Sequence, residues 1–281
     1  MKKFGLITGA ASGIGYEIAK LLIQDSYHLV LIDKNATKLQ EIQSDFKSQY
    51  KNEVQILEKD LSKTNVADEI YDELRQQQIE LDLLVNNAGY GVFGMFSETD
   101  WKRERDMIQL HVITSTHLTK LFLPGMVRRG TGKILNVSSL AAFQPGPLMS
   151  IYYATKAYLL SFTEAIANEV KGTGVTITVL CPGITKTGFQ KTVSEEEAQI
   201  NWNLASAANV ARYGYKAMLK GKIVAIPGFI NYLLANAPRF FPRRIAANVV
   251  RRLQERNRKK SPKKSWWKSQ SGEKSISEGS N

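Results

Sequence analysis

The sequence FGLITGAASGIGYEIAKLLIQ, residues 4–24, decides the fold of this 281-residue chain. Its first five residues form a short apolar run typical of a buried strand, and a helical apolar pattern begins at Ile14. Gly9, Gly13 and Gly15 lie in the turn around this junction. A glycine-rich turn at a helix N-terminus predicts a pyrophosphate cradle, since glycines let the backbone approach and free N–H groups favour an anion. By itself the motif also fits a structural glycine turn.

The next apolar run, YHLVLID, ends at Asp33, which lies 18 residues after Gly15. An acidic residue at this place is positioned to accept hydrogen bonds from an adenosine ribose, and it would repel a 2′-phosphate. Asp33 therefore favours NAD(H). The neighbouring Lys34 leaves NADP(H) open, because a cation tolerates that phosphate. A solvated Asp-Lys turn is the alternative without any ligand.

Apolar runs and helical patterns alternate through the rest of the chain. Further strands are predicted in EVQILEKD, LDLLVNNAG, KILNV, VTITVL and KIVAIPG. This alternation predicts the α/β class, a doubly wound parallel sheet of about seven strands with helices on both faces. In such a sheet a ligand binds at the carboxyl edge, where the residues from Asn86 to Gly89 follow the fourth strand.

The composition is typical of a soluble globular protein, with 43% hydrophobic and 23% charged residues. No apolar run approaches the roughly 20 residues of a membrane span. The one cysteine, Cys181, excludes an internal disulfide and favours a reducing, cytoplasmic location. Its place between an apolar run and Pro182 is typical of a buried structural cysteine, and a nucleophile is the less favoured alternative. No metal site is predicted.

The segment VSSLAAFQPGPLMSIYYATK, residues 137–156, contains the candidate catalytic groups. A strand ends at Ser138 and Ser139, and the following helix carries Tyr152 and Lys156 on one face, four residues apart. A hydroxyl, a phenol and an ammonium can then converge, as expected of a tyrosine acid/base whose pKa is lowered by a cation. Tyr-x-x-x-Lys also occurs in helices by chance, so this interpretation depends on the other motifs.

Several motifs, taken in order, resemble the short-chain dehydrogenase/reductase family over about residues 4–230. They are TGAASGIG at 8–15, Asp60-Leu61, NNAG at 86–89, Ser139 thirteen residues before Tyr152, YYATK, and PGITKT at 182–187. The resemblance implies a Rossmann-like fold and an NAD(P)(H)-dependent oxidoreductase that interconverts an alcohol and a carbonyl. It also implies a homodimer or homotetramer.

The resemblance assigns a role to each matching residue. Tyr152, rather than Tyr153, exchanges a proton with the substrate oxygen. Lys156 favours the phenolate and holds the nicotinamide ribose, and Ser139, rather than Ser138, hydrogen-bonds the substrate oxygen. The implied cofactor-binding set, with Lys34 added for a 2′-phosphate, is Gly9, Ser12, Gly13, Ile14, Gly15, Asp33, Lys34, Asp60, Leu61, Asn87, Ala88, Gly89, Tyr152, Lys156, Pro182, Gly183, Ile184 and Thr187.

One position departs from the family pattern. The family's long helix usually has an asparagine where this chain has His111, and that asparagine is thought to hold a water that relays protons towards the lysine. A neutral histidine offers one donor and one acceptor, so His111 is a candidate relay with a different reach. The alternative of equal weight is a satisfied core histidine. The departure also supports a competing function, a cofactor-binding regulator or scaffold with weak catalysis.

The candidate substrate-lining residues are mostly apolar, which favours a hydrophobic alcohol or carbonyl of steroid-like, acyl-like or aldehyde type. Aromatic sets of this kind are also typical of a protein core. Two members, Phe189 and Trp202, belong to a predicted lid at about 187–204. The full set is Ser139, Phe93, Met95, Phe96, Phe143, Gln144, Met149, Phe189 and Trp202.

The net charge of +12 is concentrated near the C-terminus, where residues 239–281 hold 13 Lys and Arg against 3 Asp and Glu. We predict one Rossmann-type catalytic domain over 1–238, a basic amphipathic helix over 239–259 and a disordered basic tail over 260–281. Apolar residues every four positions among arginines suit peripheral contact with an anionic membrane. A helix docked on the body or on a partner subunit, followed by a solvated tail, is the alternative. Nucleic-acid binding is not expected, since no recognition fold accompanies the charge.

Overall fold

The computed structural model describes residues 2–187 and 205–258. The strands are β1 Phe4–Thr8, β2 His28–Asp33, β3 Val54–Glu58, β4 Leu81–Asn86, β5 Gly132–Val137, β6 Val175–Leu180, β7 Thr185–Lys186, β8 Ala205–Ser206 and β9 Val224–Ala225. The α-helices are α1 Gly13–Gln24, α2 Ala36–Gln49, α3 Val66–Gln76, α4 Trp101–Ile108, α5 Ser115–Arg129, α6 Ser150–Glu169, α7 Ala207–Leu219, α8 Phe229–Asn236 and α9 Arg243–Arg258.

Seven of these strands form one parallel sheet in the order β3-β2-β1-β4-β5-β6-β9. The prediction of a doubly wound, Rossmann-like α/β fold is therefore confirmed. The chain reverses its direction of travel across the sheet between β1 and β4, and the carboxyl ends of these two strands form the crevice where such sheets bind ligands. A second parallel pair, β7 with β8, was not predicted from the sequence because each strand has only two residues.

Helices cover both faces of the sheet, as the continuous apolar strands require. On one face α1, α2 and α7 contribute buried side chains such as Ile18, Phe46 and Val210. On the other face α3, α5 and α6 contribute buried side chains such as Ile70 and Leu118. The core thus has two layers, one on each face of the sheet.

The long helical region that carries His111 has an interruption. Between α4 and α5 the chain forms a π-helical segment, Gln109–Thr114. His111 lies in this segment and is only 1% exposed, so its side chain faces the core. A π-helical turn widens the backbone spiral and is frequent at functional sites.

The C-terminal part of the chain continues from β9 into α8, a short 3₁₀ turn at Ala237–Phe240, and α9. Helix α9 falls within the predicted basic helix over 239–259. The predicted lid, apart from Thr187, and the predicted tail from 260 lie outside the described residues. Within the part of the chain that the structure describes, no helix is both long and apolar enough to cross a bilayer.

Candidate active site

The two serines at the end of β5 have different surroundings. Ser138 is buried, and its hydroxyl donates to the carbonyl of Lys156 at 2.8 Å. Ser139 is half-buried, and its Oγ accepts from the backbone N–H of Ala141 at 3.1 Å. The Ser139 hydroxyl also hydrogen-bonds the phenol of Tyr152. Ser138 therefore tethers α6 to the sheet, while Ser139 faces the candidate acid/base.

Tyr152 lies in the first turn of α6 and is 9% exposed. Burial raises the pKa of its phenol to about 12, against a smaller lowering by the hydrogen bond with Ser139. The net shift is therefore upward, opposite to the lowering by a cation that the spacing suggested, because desolvation of the phenolate is the largest effect.

Lys156 is buried one turn further along α6. Its Nζ donates to the carbonyl oxygen of Val137 at 3.0 Å and lies 5.8 Å from the centre of the Tyr152 ring. Desolvation lowers the pKa of its ammonium to about 8. Serine, tyrosine and lysine thus meet at the end of β5, as the sequence pattern predicted.

Both ring nitrogens of His111 are hydrogen-bonded to the protein. Thr155 donates its one hydroxyl proton to the Tyr152 carbonyl at 2.8 Å, so its oxygen accepts from Nδ1 of His111 at 2.9 Å. Nε2 accepts from the N–H of Tyr90 at 3.2 Å. Burial and the nearby Lys156 charge hold the pKa of His111 well below its usual value, so the ring is neutral. This arrangement favours the alternative of a satisfied core histidine.

The glycine-rich turn forms a tight junction between β1 and α1. Gly9 and Gly13 have φ angles of 66° and 58°, in the region that favours glycine. A side chain at Gly15 would collide with the carbonyl oxygen of Gly9, so only glycine lets the helix approach this closely. A Cβ at Gly13 would lie 3.1 Å from the side chain of Thr187, which belongs to the loop after β6. The turn and that loop therefore face each other across a narrow cradle.

Thr8 and Asn87 bind the ends of β1 and β4 together. The Thr8 hydroxyl accepts from the backbone N–H groups of Asn87 and Ala88 at 2.9 and 3.1 Å. The Asn87 amide donates to the carbonyls of Thr8 and Gly9 at 2.9 and 3.1 Å. A Cβ at Gly89 would lie 2.6 Å from Nε2 of His111, so glycine there makes room for the histidine.

Two acidic residues lie beside the glycine-rich turn. The Asp33 carboxylate accepts from the N–H of Ala11 and of Asn35, both at 3.1 Å, which leaves further lone pairs for a ligand. Asp60 accepts from the N–H and the hydroxyl of Ser62. Burial alone would raise the pKa of Asp60, but these hydrogen bonds, with the charges of two nearby lysines, lower it. Hydrogen bonds fix both side chains at the carboxyl edge.

This geometry fits a dinucleotide: an anion cradle at a helix N-terminus, fixed carboxylates for hydroxyl groups, and a serine–tyrosine–lysine cluster facing the same edge. The sequence profile of the family described as short chain dehydrogenase matches residues 3–198. The chain belongs to the short-chain dehydrogenase family. Membership confirms the prediction of an oxidoreductase of this NAD(P)-dependent family.

Curated relatives of this short-chain dehydrogenase include two reductases. The ketoacyl reductase HetN of Nostoc sp. is 31% identical over 185 residues, which are 66% of this chain and 64% of that protein, so the match spans less than two thirds of its length. The very-long-chain 3-oxoacyl-CoA reductase of Rattus norvegicus is 28% identical over 269 residues, 93% of this chain and 84% of that protein.

A similar solved structure is the short-chain dehydrogenase of Sphingobium yanoikuyae in complex with NADPH. It is 23% identical, with a TM-score of 0.77, and the match covers 93% of this chain and 97% of that one. At this identity the likeness shows the fold alone.

The predicted substrate-lining residues of the short-chain dehydrogenase do not all come together. Phe93 and Met149 pack with Tyr152 in a small apolar cluster that also contains Val92 and Met107. Phe143 packs elsewhere, with Ala235 and Cys181. Gln144, Met95 and Phe96 lie in the flanking loops, and Phe96 is 61% exposed. Phe189 and Trp202 lie outside the described residues.

Two features of the site were missed by sequence reasoning. Thr155 connects His111 to the backbone of Tyr152, and Thr8 joins the two strand ends. Thr8 stands in the TGAASGIG motif, but its hydroxyl role shows only once β1 and β4 are paired. Cys181 is buried with its pKa raised to about 12 by desolvation, which fits the structural role that its context indicated.

Proposed function

We propose that this short-chain dehydrogenase reduces a hydrophobic carbonyl compound to the alcohol, with Tyr152 as the proton donor. The observation that carries the proposal is the buried, protonated phenol, hydrogen-bonded to Ser139 with Lys156 one helical turn away. A phenol with a pKa of about 12 is a proton donor at neutral pH, which suits reduction.

Each residue of the cluster has a separate role in this proposal. Ser139 orients the substrate oxygen by a hydrogen bond and stabilises the negative charge that develops on it. Lys156 holds a positive charge at the end of β5, which stabilises the alkoxide and the phenolate left by proton transfer. Lys156 would also donate to the nicotinamide ribose when the cofactor is bound. Ser138 fixes α6 by its bond to the Lys156 carbonyl.

A nicotinamide cofactor supplies the hydride when it is bound. The cradle of Gly9, Ser12, Gly13, Ile14 and Gly15 would hold its pyrophosphate, because the first turn of α1 presents N–H groups without helical acceptors. Asn87, Ala88 and Gly89 would line its bed. Pro182, Gly183, Ile184 and Thr187 would meet the carboxamide end.

The adenosine end of the cofactor would lie between Asp33 and Asp60. Asp33 would accept from two ribose hydroxyls with the lone pairs that Ala11 and Asn35 leave free. Leu61 would cover the adenine. A 2′-phosphate would meet the Asp33 charge, so we propose NADH as the preferred cofactor. The exposed Lys34, directly after Asp33, is a cation through which NADPH would be tolerated.

The proposed substrate class is an acyl thioester or another long-chain carbonyl. The apolar cluster of Phe93, Met149 and Val92 lies directly against Tyr152 and suits a hydrocarbon chain. Two relatives carry names that refer to carbonyl compounds of this class, a ketoacyl reductase and a very-long-chain 3-oxoacyl-CoA reductase.

We further propose that His111 positions Tyr152 and does not relay protons. Its two nitrogens connect the Tyr90 loop to Thr155, and Thr155 to the Tyr152 carbonyl. Peripheral contact with an anionic membrane through α9 is likewise a proposal, supported by the arginines of that helix. The homodimer or homotetramer stays a prediction from the family resemblance.

The test measures the rates at which the purified protein oxidises NADH and NADPH in the presence of each member of a panel of carbonyl compounds. The panel includes a short soluble ketone, 3-oxoacyl thioesters of increasing chain length and a steroid ketone. Turnover that increases with chain length and is abolished by Tyr152→Phe is the expected result. Tight cofactor binding without turnover on any member would overturn the proposal and favour the regulator or scaffold.

A further inference from the structure

Helix α8 places apolar side chains on the surface. Ala235 is 2% exposed and packs with Leu140 and Phe143, and Asn231 lies against Gly183. The remaining large apolar side chains of α8 are 52% to 75% exposed, and they are Phe229, Ile230, Tyr232, Leu233 and Leu234. A contiguous apolar patch of this kind marks an interaction site.

Further exposed apolar side chains follow α8 along the chain. Phe240 and Phe241, in the turn before α9, are 81% and 57% exposed. Along α9, Ile245, Val249 and Leu253 are each about half exposed and follow one another at every fourth position. We call the exposed apolar side chains of α8, the turn and α9 the C-terminal apolar surface.

This surface is separate from the face by which α9 packs on the body. Val250 is 4% exposed, and Gln254 donates to the phenol oxygen of Tyr153 at 3.3 Å. Both lie about 100° further around the helix than Val249 and Leu253, respectively. Helix α9 is therefore docked by one stripe and presents a second apolar stripe outward.

The rim of the C-terminal apolar surface is positively charged. Residues 239–258 contain seven arginines and one glutamate, Glu255, which pairs with Arg251 at 2.8 Å. Arg252 and Arg256 lie next to the Val249 stripe on the helical wheel, on the side away from the body. An apolar centre with an arginine rim matches the headgroup and acyl layers of an anionic bilayer.

A second copy of the chain is a poorer occupant of this surface. A two-fold interface would set the same patch against itself, so arginines would face arginines. Such a contact leaves charges of one sign close together as the apolar residues are buried. The charge pattern therefore favours lipid headgroups.

The surface also borders the substrate side of the active site. Gln254 contacts Met149 as well as Tyr153, and these residues flank Tyr152 at the start of α6. On the other side, Ala235 packs on Leu140, which directly follows Ser139. The helices that carry the apolar surface are thus packed on both segments that position the catalytic groups.

We infer that α8 and α9 seat the enzyme on an anionic membrane with its substrate side towards the bilayer, so that lipid-dissolved carbonyl substrates reach Tyr152 from the membrane. The substrate part of this inference rests on the proposed function. The membrane part stands on the C-terminal apolar surface alone.

The first test is co-sedimentation of the full chain with vesicles. Vesicles of phosphatidylcholine and phosphatidylserine in equal amounts are compared with pure phosphatidylcholine. Leu233→Ser with Leu234→Ser is expected to weaken binding by more than about tenfold. Arg252→Gln with Arg256→Gln is expected to weaken binding to the anionic vesicles by about tenfold or more, and less at high salt.

Matched controls lie at the opposite edge of the sheet. Leu219 ends α7 and is 41% exposed, and Arg128 is an exposed residue in the last turn of α5. Leu219→Ser and Arg128→Gln are expected to bind vesicles as the unchanged protein does.

The second test measures turnover with a long-chain 3-oxoacyl thioester and with a short soluble ketone, each with and without anionic vesicles. Vesicles are expected to lower KM for the long-chain substrate several-fold in the unchanged protein and not in the Leu233→Ser, Leu234→Ser variant. The rate with the short ketone is expected to be the same throughout. Turnover of the ketone reports the proposed function independently of any membrane.

Three results would overturn the inference. One is absence of binding to anionic vesicles, and another is binding that the four surface substitutions leave unchanged. The third is a dimer that Leu233→Ser with Leu234→Ser converts to a monomer without any change in vesicle binding, which would make the surface a contact between copies. If neither substrate is turned over, the proposed function fails instead.

Discussion

The start of α6 and the C-terminal apolar surface have opposite distributions of polarity. Around α6, polar groups are buried, and the protein supplies their partners, as for Lys156, Ser138 and His111. On α8 and α9, large apolar side chains face solvent while small ones face the body. Buried polar groups with internal partners fix one geometry, because each lost hydrogen bond is costly. Exposed apolar groups contribute to stability only when a membrane or another molecule covers them and removes them from water.

The largest expected loss of stability is at Gly15, which lies in the buried part of the molecule where the protein supplies all the contacts. In Gly15→Ala the new methyl group collides with the Gly9 carbonyl and the Asn87 amide, so α1 must shift. We expect a loss of about 3 kcal/mol or more in the free energy of unfolding, measured by urea denaturation. Cofactor binding, measured by quenching of protein fluorescence, is expected to weaken as well.

Gly125 in α5 is the control for that substitution. A Cβ there meets only the far ends of two arginine side chains. Gly125→Ala is expected to be neutral or to stabilise by up to about 1 kcal/mol, since alanine favours a helix. Equal effects of the two substitutions would contradict the close approach of α1 to the end of β1.

The next effect is at His111. In His111→Ala the Tyr90 N–H loses its acceptor and a cavity opens, so we expect a loss of about 2–3 kcal/mol in the free energy of unfolding. His117, on the surface of α5 and 3.4 Å from Asp68, is the matched control, with an expected loss below about 0.5 kcal/mol.

His111→Asn separates positioning from proton relay. We expect kcat to fall while the shape of the pH–rate profile is unchanged, because His111 is neutral throughout the measured range. A shifted or lost inflection in that profile would instead indicate a relay.

A smaller effect is expected from pH. Lys156 has a pKa of about 8, so it is charged below pH 8 and loses its proton as pH rises through that value. Tyr152, at about 12, keeps its proton over the same range. We expect kcat/KM for carbonyl reduction to be flat below pH 8 and to fall above it by up to tenfold per pH unit. The Lys156→Met variant is expected to have a low rate of turnover and to lack this inflection. If the inflection survives in the variant, it belongs to the titration of another group.

The smallest effect is expected at the surface. Leu233→Ser with Leu234→Ser removes exposed side chains, so the free energy of unfolding should change by less than about 0.5 kcal/mol per site. Thermal unfolding without lipid is the measurement. A large loss of stability would mean that these residues pack on the protein, which would remove the contrast between the two regions.

Much of the fold and the site was predictable because its determinants are local in sequence. Strand β1, the glycine turn and α1 follow from an apolar run, three glycines and a 3.6-residue period. The pairing of Tyr152 with Lys156 follows from the spacing of four on a helix. The π-helical segment was not predictable, since it depends on how His111 is held by residues of the Tyr90 loop and α6.

The sequence by itself determined the order of strands and helices, because this depends on periodicity. Its ordered motifs determined the family, and the resemblance to that family in turn singled out Ser139, Tyr152 and Lys156. Only the tertiary structure decided the upward shift of the Tyr152 pKa, the neutral state of His111 and the exposure of α8. Desolvation and exposure depend on which distant segments cover a group. The same apolar residues of α8 would fit a core helix. They are exposed because α8 lies outside the layers that pack on the sheet, so they are free to contact a partner.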